Sequence, residues 1–218
     1  MLLADAIEHT LLSPGARPEE VDAHCDAAAD ACLLGVCVAP IYVARAAARL
    51  DGRCRCLVTV VGFPSGAHRS DVKAFEAQRA AADGATDIDM VMSLGAALAG
   101  QWPAVERDIL AVRRAAPQLT LKVILETGLL DAETLARAVE VAVAAGVDFV
   151  KTSTGFGPRG ASVDDVQRMV AAAGGRAEVK AAGGIRSAAA ARAMLEAGAT
   201  RIGTSAGPAI ARDEQGVR

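Results

Sequence analysis

The stretch 121–152, LKVILETGLLDAETLARAVEVAVAAGVDFVKT, holds two short apolar runs with a helical pattern between them. The runs are LKVILE at 121–126 and VDFVKT at 147–152. Asp131 can cap the start of the helix and Gly146 follows its end, and these residue types commonly begin and end helices. A strand, a helix and a second strand in this order predict a right-handed βαβ unit with parallel strands.

The same alternation continues in both directions from this unit. Further short apolar runs predict strands at 35–38, 57–61, 86–92, 178–182 and 200–204. An eighth strand is expected at 5–10, followed by a helix near 18–32. Three more helices are expected after the capping residues Ser70, Ser162 and Ser187, with Gly84, Gly174 and Gly198 at their ends. Alternation alone fits an open doubly wound sheet as well as a closed (β/α)8 barrel.

Composition limits the classes of protein to consider. The 218 residues suffice for one domain with a large core, and we find no linker that would divide the range 1–218. A net charge of -3 favours neither nucleic acid nor an anionic membrane as a partner. The N-terminus carries Asp5 and Glu8 where a signal peptide would be basic and then apolar. We therefore expect a cytoplasmic protein.

Lysine is rare in this chain. Of 23 basic residues only four are lysine, namely Lys73, Lys122, Lys151 and Lys180. Arginine supplies the ordinary surface charge, so a remaining lysine is a candidate for chemistry that a guanidinium cannot do. A lysine amine can lose its proton and act as a nucleophile. We expect no particular role for Lys73.

Charged residues stand in several of the apolar strands. They are Asp89, Lys151 and Lys180, with Lys122 and Glu126 assigned to one strand and to one side of it. Two lysines at one barrel mouth would repel each other, and burial would add to this, so we expect both effects to lower the amine pKa and to leave a neutral amine. A neutral amine attacks aldehydes, and a nearby carboxylate can move protons. The alternative is a structural network of ion pairs that fills the barrel.

Glycine-rich loops follow the last three predicted strands. They are TSTGFG at 152–157, AGGIR at 182–186 and GTSAG at 203–207. Glycine lets backbone N–H groups approach an anion closely, and barrels commonly bind phosphate at the loops after strands 7 and 8. Arg186 can add a charged contact, so these loops predict a phosphate site.

The histidines and cysteines show no spacing typical of a metal site. An odd number of cysteines without an export signal indicates free thiols. Cys37, at a strand end, is either a reactive thiol near the site or a small core residue. We expect neither a metal nor an organic cofactor.

These residues resemble the deoxyribose-phosphate aldolase family, and the resemblance runs from near the N-terminus to residue 207. The matching segments are IEHTLL (7–12), VCVAP (36–40), TVVGFPSG (59–66), GATDIDMVMSLG (84–95), LKVILETGLL (121–130), DFVKTSTGF (148–156), VKAAGGIR (179–186) and ATRIGTSAG (199–207). The resemblance implies a (β/α)8 TIM barrel as a single domain. It implies Lys151 as the Schiff-base lysine, Lys180 as a second lysine that tunes it, and Asp89 as the acid/base carboxylate.

The implied reaction is the reversible cleavage of 2-deoxy-D-ribose 5-phosphate, in deoxyribose phosphate catabolism, to acetaldehyde and D-glyceraldehyde 3-phosphate. The resemblance assigns the 5-phosphate to Gly155, Gly183, Gly184, Arg186, Gly203 and Ser205. It places Thr10 and Lys122 near the interior of the active site. Members of the family are commonly dimers, so a homodimer is expected.

Two departures from the family pattern affect the site. Some members carry a lysine directly after STG, where this chain has Phe156, and some end in a tyrosine that reaches the active site. Here the chain ends DEQGVR and its only tyrosine is Tyr42. We therefore expect no C-terminal tyrosine in proton transfer. Two alternatives stay open: a Schiff-base aldolase for another phosphorylated sugar, and a barrel that binds phosphate without catalysis or serves as an oligomer scaffold.

Overall fold

The computed structural model describes residues 2–214 and 216, in which eight parallel strands close into one barrel in chain order. The strands are β1 Ile7–Leu11, β2 Gly35–Val38, β3 Cys56–Val61, β4 Asp87–Val91, β5 Thr120–Ile124, β6 Phe149–Lys151, β7 Glu178–Ala182 and β8 Arg201–Thr204. Closure is set by the pairing of β1 with β8, where Glu8 lies opposite Gly203. This confirms the (β/α)8 barrel, a single-domain fold, and rules out the open sheet.

Helices surround the barrel within the described residues. They are α1 Pro18–Asp30, α2 Val43–Leu50, α3 Ser70–Ala82, α4 Leu94–Leu98, α5 Trp102–Ala115, α6 Ala132–Ala144, α7 Val163–Ala173, α8 Ala188–Glu196 and α9 Gly207–Glu214. The core between helices and strands is built from Ala, Val, Leu, Ile and Met side chains, such as Ile88 and Met90 of β4. None of the helices described is both long enough and apolar enough to span a lipid bilayer.

Three of the four predicted N-caps are confirmed. The side chains of Asp131, Ser162 and Ser187 each accept a hydrogen bond from the backbone N–H three residues later. The prediction for Ser70 is wrong, because α3 already begins at this residue. The Ser70 hydroxyl instead donates to Asp108 Oδ1 at 2.8 Å, so a tertiary contact uses the group that would have capped the helix.

Two predicted strand boundaries also need correction. The first strand was expected at 5–10, but a 3-10 turn at Leu3–Ala6 precedes β1. The strand expected at 121–126 ends at Ile124, and Glu126 adopts a left-handed conformation with φ of 52°. Glu126 therefore does not share a strand with Lys122, and the prediction that both extend from one side of it is wrong.

All four lysines of the chain are buried, including the one for which we expected no role. The Lys73 side chain is fully buried on α3, and its ammonium pairs with Asp108 at 2.6 Å. It also donates to the backbone oxygen of Val91 at 2.9 Å. Lys73 is thus a structural ion pair between two helices and a strand end, placed outside the barrel interior.

Candidate active site

The structure brings Asp89, Lys151 and Lys180 together inside the barrel. Asp89 extends inward from β4, Lys180 from β7, and Lys151 is the last residue of β6. One oxygen, Asp89 Oδ2, accepts hydrogen bonds from Lys151 Nζ at 2.7 Å and from Lys180 Nζ at 2.6 Å. A single carboxylate therefore links the two lysines that the sequence placed on different strands.

Two further carboxylates belong to this cluster and were missed by sequence reasoning. Glu8 of β1 is fully buried and accepts a hydrogen bond from Lys180. Asp87 stands two residues before Asp89 on β4, and the two-residue repeat of a strand points both side chains inward. Lys122 Nζ lies 2.8 Å from Asp87 Oδ2 and 3.1 Å from Asp89 Oδ1.

Arg201, the first residue of β8, completes the cluster and was also missed. Its Nη1 donates to Glu8 Oε1 at 2.9 Å and to Asp87 Oδ2 at 2.6 Å. Its guanidinium lies 4.5 Å from the centre of the Phe149 ring. The one available signal was a charge opening an apolar strand, which occurs at Arg201 in RIGT and at Asp87 in DIDMV.

The resting charges of the cluster follow from these contacts. Burial alone would raise the pKa of Asp89, but Lys122, Lys151 and Lys180 outweigh it and hold that pKa well below its usual range. Burial opposes the same effect at Glu8, where Lys122 and Lys180 lower the carboxyl pKa to about 2. Both side chains are therefore carboxylates at neutral pH.

The lowered amine pKa expected where two lysines meet is not found at Lys180. Burial does act to lower the pKa of this amine, but the carboxylates of Asp89 and Glu8 outweigh burial and raise it. The prediction counted the repulsion between two lysines and omitted Glu8, which it had not placed in the barrel. Lys180 is thus an ammonium at rest and can serve as a proton donor.

Lys151 differs from the other lysines of the cluster in its access to solvent. It lines a cavity of about 390 Å³ at the C-terminal end of the barrel, and among the described residues Asp89 is its one ion-pair partner. Seven of the eight predicted binding residues line the same cavity: Thr10, Gly155, Gly183, Gly184, Arg186, Gly203 and Ser205. The eighth, Lys122, is fully buried among the carboxylates, away from the cavity.

Glycine backbone forms part of the wall of this cavity. Gly183 has a φ of 91°, and a Cβ there would lie 2.9 Å from the Cα of Gly160, so no larger residue fits. The loop containing Gly183 leads into α8, and the loop containing Ser205 leads into α9. Helix starts and exposed N–H groups favour an anion. Arg186 is the one basic side chain besides Lys151 among the described residues of this cavity.

A family model described as DeoC/LacD family aldolase matches residues 4–214. The chain belongs to this family. It is 52% identical over 217 residues to the deoxyribose-phosphate aldolase of Thermus thermophilus, covering 100% of this chain and 99% of that protein. It is 52% identical over 210 residues to the deoxyribose-phosphate aldolase of Deinococcus radiodurans, covering 96% of each chain. The chain also superposes on a solved structure with a TM-score of 0.92 at 34% identity, covering 99% of this chain and 92% of that one. That structure is described as a unique tetrameric structure of the deoxyribose phosphate aldolase from Aeropyrum pernix.

Other predicted residues of this aldolase-family chain lie around the cavity. The Glu126 carboxylate accepts hydrogen bonds from the backbone N–H of Thr154, at 3.2 Å, and from its hydroxyl, so it supports the loop that carries Gly155. Phe156 is half-exposed at the cavity rim and packs edge-on against Phe63, with ring centres 5.4 Å apart. Glu126 thus acts on loop geometry and not on the lysine cluster.

Cys37 and Tyr42 take no part in the lining of the cavity. Cys37 is fully buried, and burial raises the pKa of its thiol to about 11, which favours the small core residue over the reactive thiol. The Tyr42 hydroxyl donates to the backbone oxygen of Ala16 at 2.6 Å. The prediction about a C-terminal tyrosine falls on a tail whose residues 215, 217 and 218 lie outside the described residues.

One group of side chains has the geometry of a metal site. Glu8, Cys56 and Asp87 place their ligand atoms within 4.8 Å of one another. Both carboxylates are already paired with Lys122 and Arg201, and burial raises the pKa of the Cys56 thiol to about 12. A divalent cation at this place would have to displace two resident cations and a thiol proton.

Proposed function

We propose that this chain is a class I aldolase that reversibly cleaves 2-deoxy-D-ribose 5-phosphate to D-glyceraldehyde 3-phosphate and acetaldehyde. The observation that carries the proposal is one cavity that is lined both by Lys151 and by glycine loops with Arg186. The lysine suits attack on a carbonyl, and the loops suit a phosphate. Two relatives with 52% identity carry the name of this activity.

The reaction begins when the neutral Lys151 amine attacks C1 of the open-chain sugar and forms a carbinolamine. The Lys180 ammonium, which shares Asp89 Oδ2 with Lys151, supplies the proton on which the hydroxyl leaves as water. The product is a protonated imine on Lys151. Its positive nitrogen draws the electron pair of the C2–C3 bond when that bond breaks.

Asp89 Oδ2 lies 2.7 Å from Lys151 Nζ, so this carboxylate is the base nearest to the nucleophile. Its low pKa keeps it unprotonated at neutral pH. It accepts, directly or through water, the proton of the C3 hydroxyl as the C3 carbonyl forms. D-Glyceraldehyde 3-phosphate then leaves, and an enamine remains on Lys151. Protonation of the enamine at C2 restores an imine, and water releases acetaldehyde and the free amine. Each proton taken up in one step is returned in another, so the enzyme is regenerated.

Trapping of the imine tests this proposal. Wild-type protein is treated with 2-deoxyribose 5-phosphate and borohydride, and intact mass and peptide mapping follow. We expect one adduct, on Lys151, and none in Lys151→Met, which keeps the length of the side chain without the amine. An adduct on Lys122 or Lys180 would overturn the assignment of the nucleophile. If no adduct forms although sugar phosphate binds, the barrel binds without catalysis.

A substrate panel separates this activity from that of an aldolase for another sugar. The panel pairs acetaldehyde as donor with several phosphorylated and unphosphorylated acceptor aldehydes. We expect the highest kcat/KM with D-glyceraldehyde 3-phosphate, because the cavity offers one cationic side chain, Arg186, and three glycine loops to a single phosphate. A preference for another acceptor would keep the chemistry and change the substrate.

The assembly and location are proposed on separate grounds. We propose that the protein is a homodimer in the cytoplasm. We also propose that residues 1–218 form a single domain, so that each chain unfolds in one transition. Val72 and Phe75 on α3 are exposed apolar side chains, and the Aeropyrum pernix protein is described as tetrameric. Sedimentation equilibrium gives the mass in solution, calorimetry gives the number of transitions, and cell fractionation gives the location. A monomer at micromolar concentration would refute the dimer.

A further inference from the structure

The ionic cluster inside the barrel holds more positive than negative groups. Its four cations are Lys122, Lys151, Lys180 and Arg201, and its three carboxylates are Glu8, Asp87 and Asp89. The ion pairs are continuous from Arg201 at the N-terminal end of β8 to Lys151 at the cavity. With every group ionised, one positive charge has no carboxylate to balance it. Such an excess is costly in a buried site.

Arg201 cannot relieve this excess. A guanidinium does not lose its proton in proteins, whereas a lysine amine does. The Arg201 side chain is also fixed by Glu8 at 2.9 Å, Asp87 at 2.6 Å and the face of Phe149. A proton loss that relieves the excess therefore falls on one of the three lysines.

The contacts of the three lysines decide which of them loses the proton. Lys122 lies within 3.4 Å of three carboxylates, and Lys180 contacts two. Lys151 contacts one, Asp89, and alone of the three lines the cavity, where a proton can leave. Lys151 thus has the fewest carboxylate contacts of the three lysines and lies beside the cavity.

We propose that Arg201 is a positioning residue that keeps the Lys151 amine neutral from the far end of the barrel, by adding the one positive charge that the carboxylates do not balance. The inference rests on the proposed function, because a neutral Lys151 matters only if this amine attacks a carbonyl. Arg201 touches neither the cavity nor the substrate, so it acts through Glu8 and Lys180.

Other titratable groups lie near the cluster among the described residues. Asp5, Asp148 and Glu178 line the opening beside Arg201, but all three are exposed, so water screens them. Asp5 also pairs with Arg55 and Asp148 with Arg113.

Cys37 of β2 is close to the cluster, but burial raises the pKa of its thiol to about 11, so it is uncharged at neutral pH. The Glu126 carboxylate is turned towards Thr154. Arg186 stands at the phosphate side of the cavity and is exposed, where water and the substrate phosphate screen it.

The test measures how the rate of Lys151 trapping and kcat/KM depend on pH in variants that change the net charge of the cluster in opposite directions. Both quantities should decrease at low pH, where the Lys151 amine is protonated, and we call this part of the profile the acid limb. Arg201→Gln removes the excess charge, so the acid limb should shift to higher pH by about one unit. This is the shift expected for a unit charge about 10 Å away at an effective dielectric constant of about 20. On the acid side of the limb, the trapping rate should fall about tenfold and recover at higher pH.

Asp87→Asn increases the excess positive charge, so the acid limb should shift to lower pH by a similar amount. Arg201→Lys keeps the charge and should restore the wild-type limb. Arg176→Gln is the matched control, because Arg176 is an exposed arginine beside Arg201 that contacts only the backbone of α7. Its limb should not move.

Limbs that shift in the same direction in Arg201→Gln and Asp87→Asn, or that do not shift, would overturn the inference. Wild-type protein that traps no adduct would instead overturn the proposed function. If Arg201→Gln does not fold, Asp87→Asn and Arg201→Lys still decide, since the first must shift downward and the second must not shift.

Discussion

Lowering the pH from about 7.5 to about 5 should destabilise the barrel through two stacked histidines. The rings of His9 on β1 and His24 on α1 lie 3.8 Å apart at an angle of 18°. Both are buried, and His24 Nε2 lies 3.0 Å from the backbone oxygen of His9. Burial lowers the pKa of His9 to about 4, and burial together with the neighbouring His9 lowers the pKa of His24 to about 3. Two charged rings in contact would repel each other, so both are neutral in the folded protein.

The magnitude follows from the difference between folded and unfolded pKa values. In the unfolded chain both histidines titrate near their model value of 6.5, so below this pH the unfolded state binds more protons than the folded state. Stability is complete above about pH 6.5 and falls as the pH decreases towards the folded values. At pH 5 the loss is about 2 kcal/mol for each ring, or about 4 kcal/mol for the pair. For a chain of this length, that corresponds to a decrease in Tm of about 10 °C.

Thermal unfolding at several pH values checks this expectation. The double variant His9→Asn/His24→Gln has no titrating ring at this position, so its Tm should be nearly constant between about pH 5 and 7.5 even if it is lower throughout. His68→Gln is the matched control, since His68 is exposed and its variant should behave as wild type. An equal decrease in Tm in the double variant and in wild type would refute the reasoning, because it would place the acid sensitivity elsewhere.

Further predictions concern the lysine cluster, the phosphate loops and the buried helix pair. Asp89→Asn should lower kcat by about 10²- to 10⁴-fold through loss of proton transfer, with phosphate affinity unchanged, as steady-state kinetics and phosphate titration would show. Arg186→Ala should raise KM for 2-deoxyribose 5-phosphate about tenfold with little change in kcat, and should leave the unphosphorylated sugar unaffected. Asp108→Asn should lower the free energy of unfolding by about 3–5 kcal/mol, because it leaves the Lys73 ammonium buried without its partner, and urea denaturation would measure this.

The alternation of strands and helices could be predicted from the sequence because strand runs and helix caps are local signals. Asp131, Ser162 and Ser187 cap their helices as their positions predict. Ser70 does not, because Asp108 lies 38 residues away in sequence and competes for its hydroxyl. Closure of the barrel depends on pairing between the first strand and the last, which no local pattern contains. The family resemblance supplied that information.

The functional site was predicted in part for the same reason. Asp89, Lys151 and Lys180 stand out because each is a charged residue within an otherwise apolar strand. Glu8 and Arg201 were missed because they lie at the strand ends farther from the cavity, where a charge is usually attributed to stability. Their inward orientation, and hence the number of charges inside the barrel, becomes known only when β1 and β8 are seen side by side.

The scarcity of lysine in the sequence predicts which lysines are buried better than it predicts which lysine is the nucleophile. Lys73 and Lys151 are both almost fully buried, and each contacts one carboxylate. Within the part of the chain that the structure describes, Lys73 is the one cation paired with Asp108, so that pair is balanced, and it is closed to solvent. Asp89 is shared by three lysines, and Lys151 alone of these reaches a cavity. Burial is therefore common to the two lysines, and what separates a candidate nucleophile from a structural lysine is its surroundings: a shared carboxylate within a cluster of excess positive charge, and an opening that a substrate can enter.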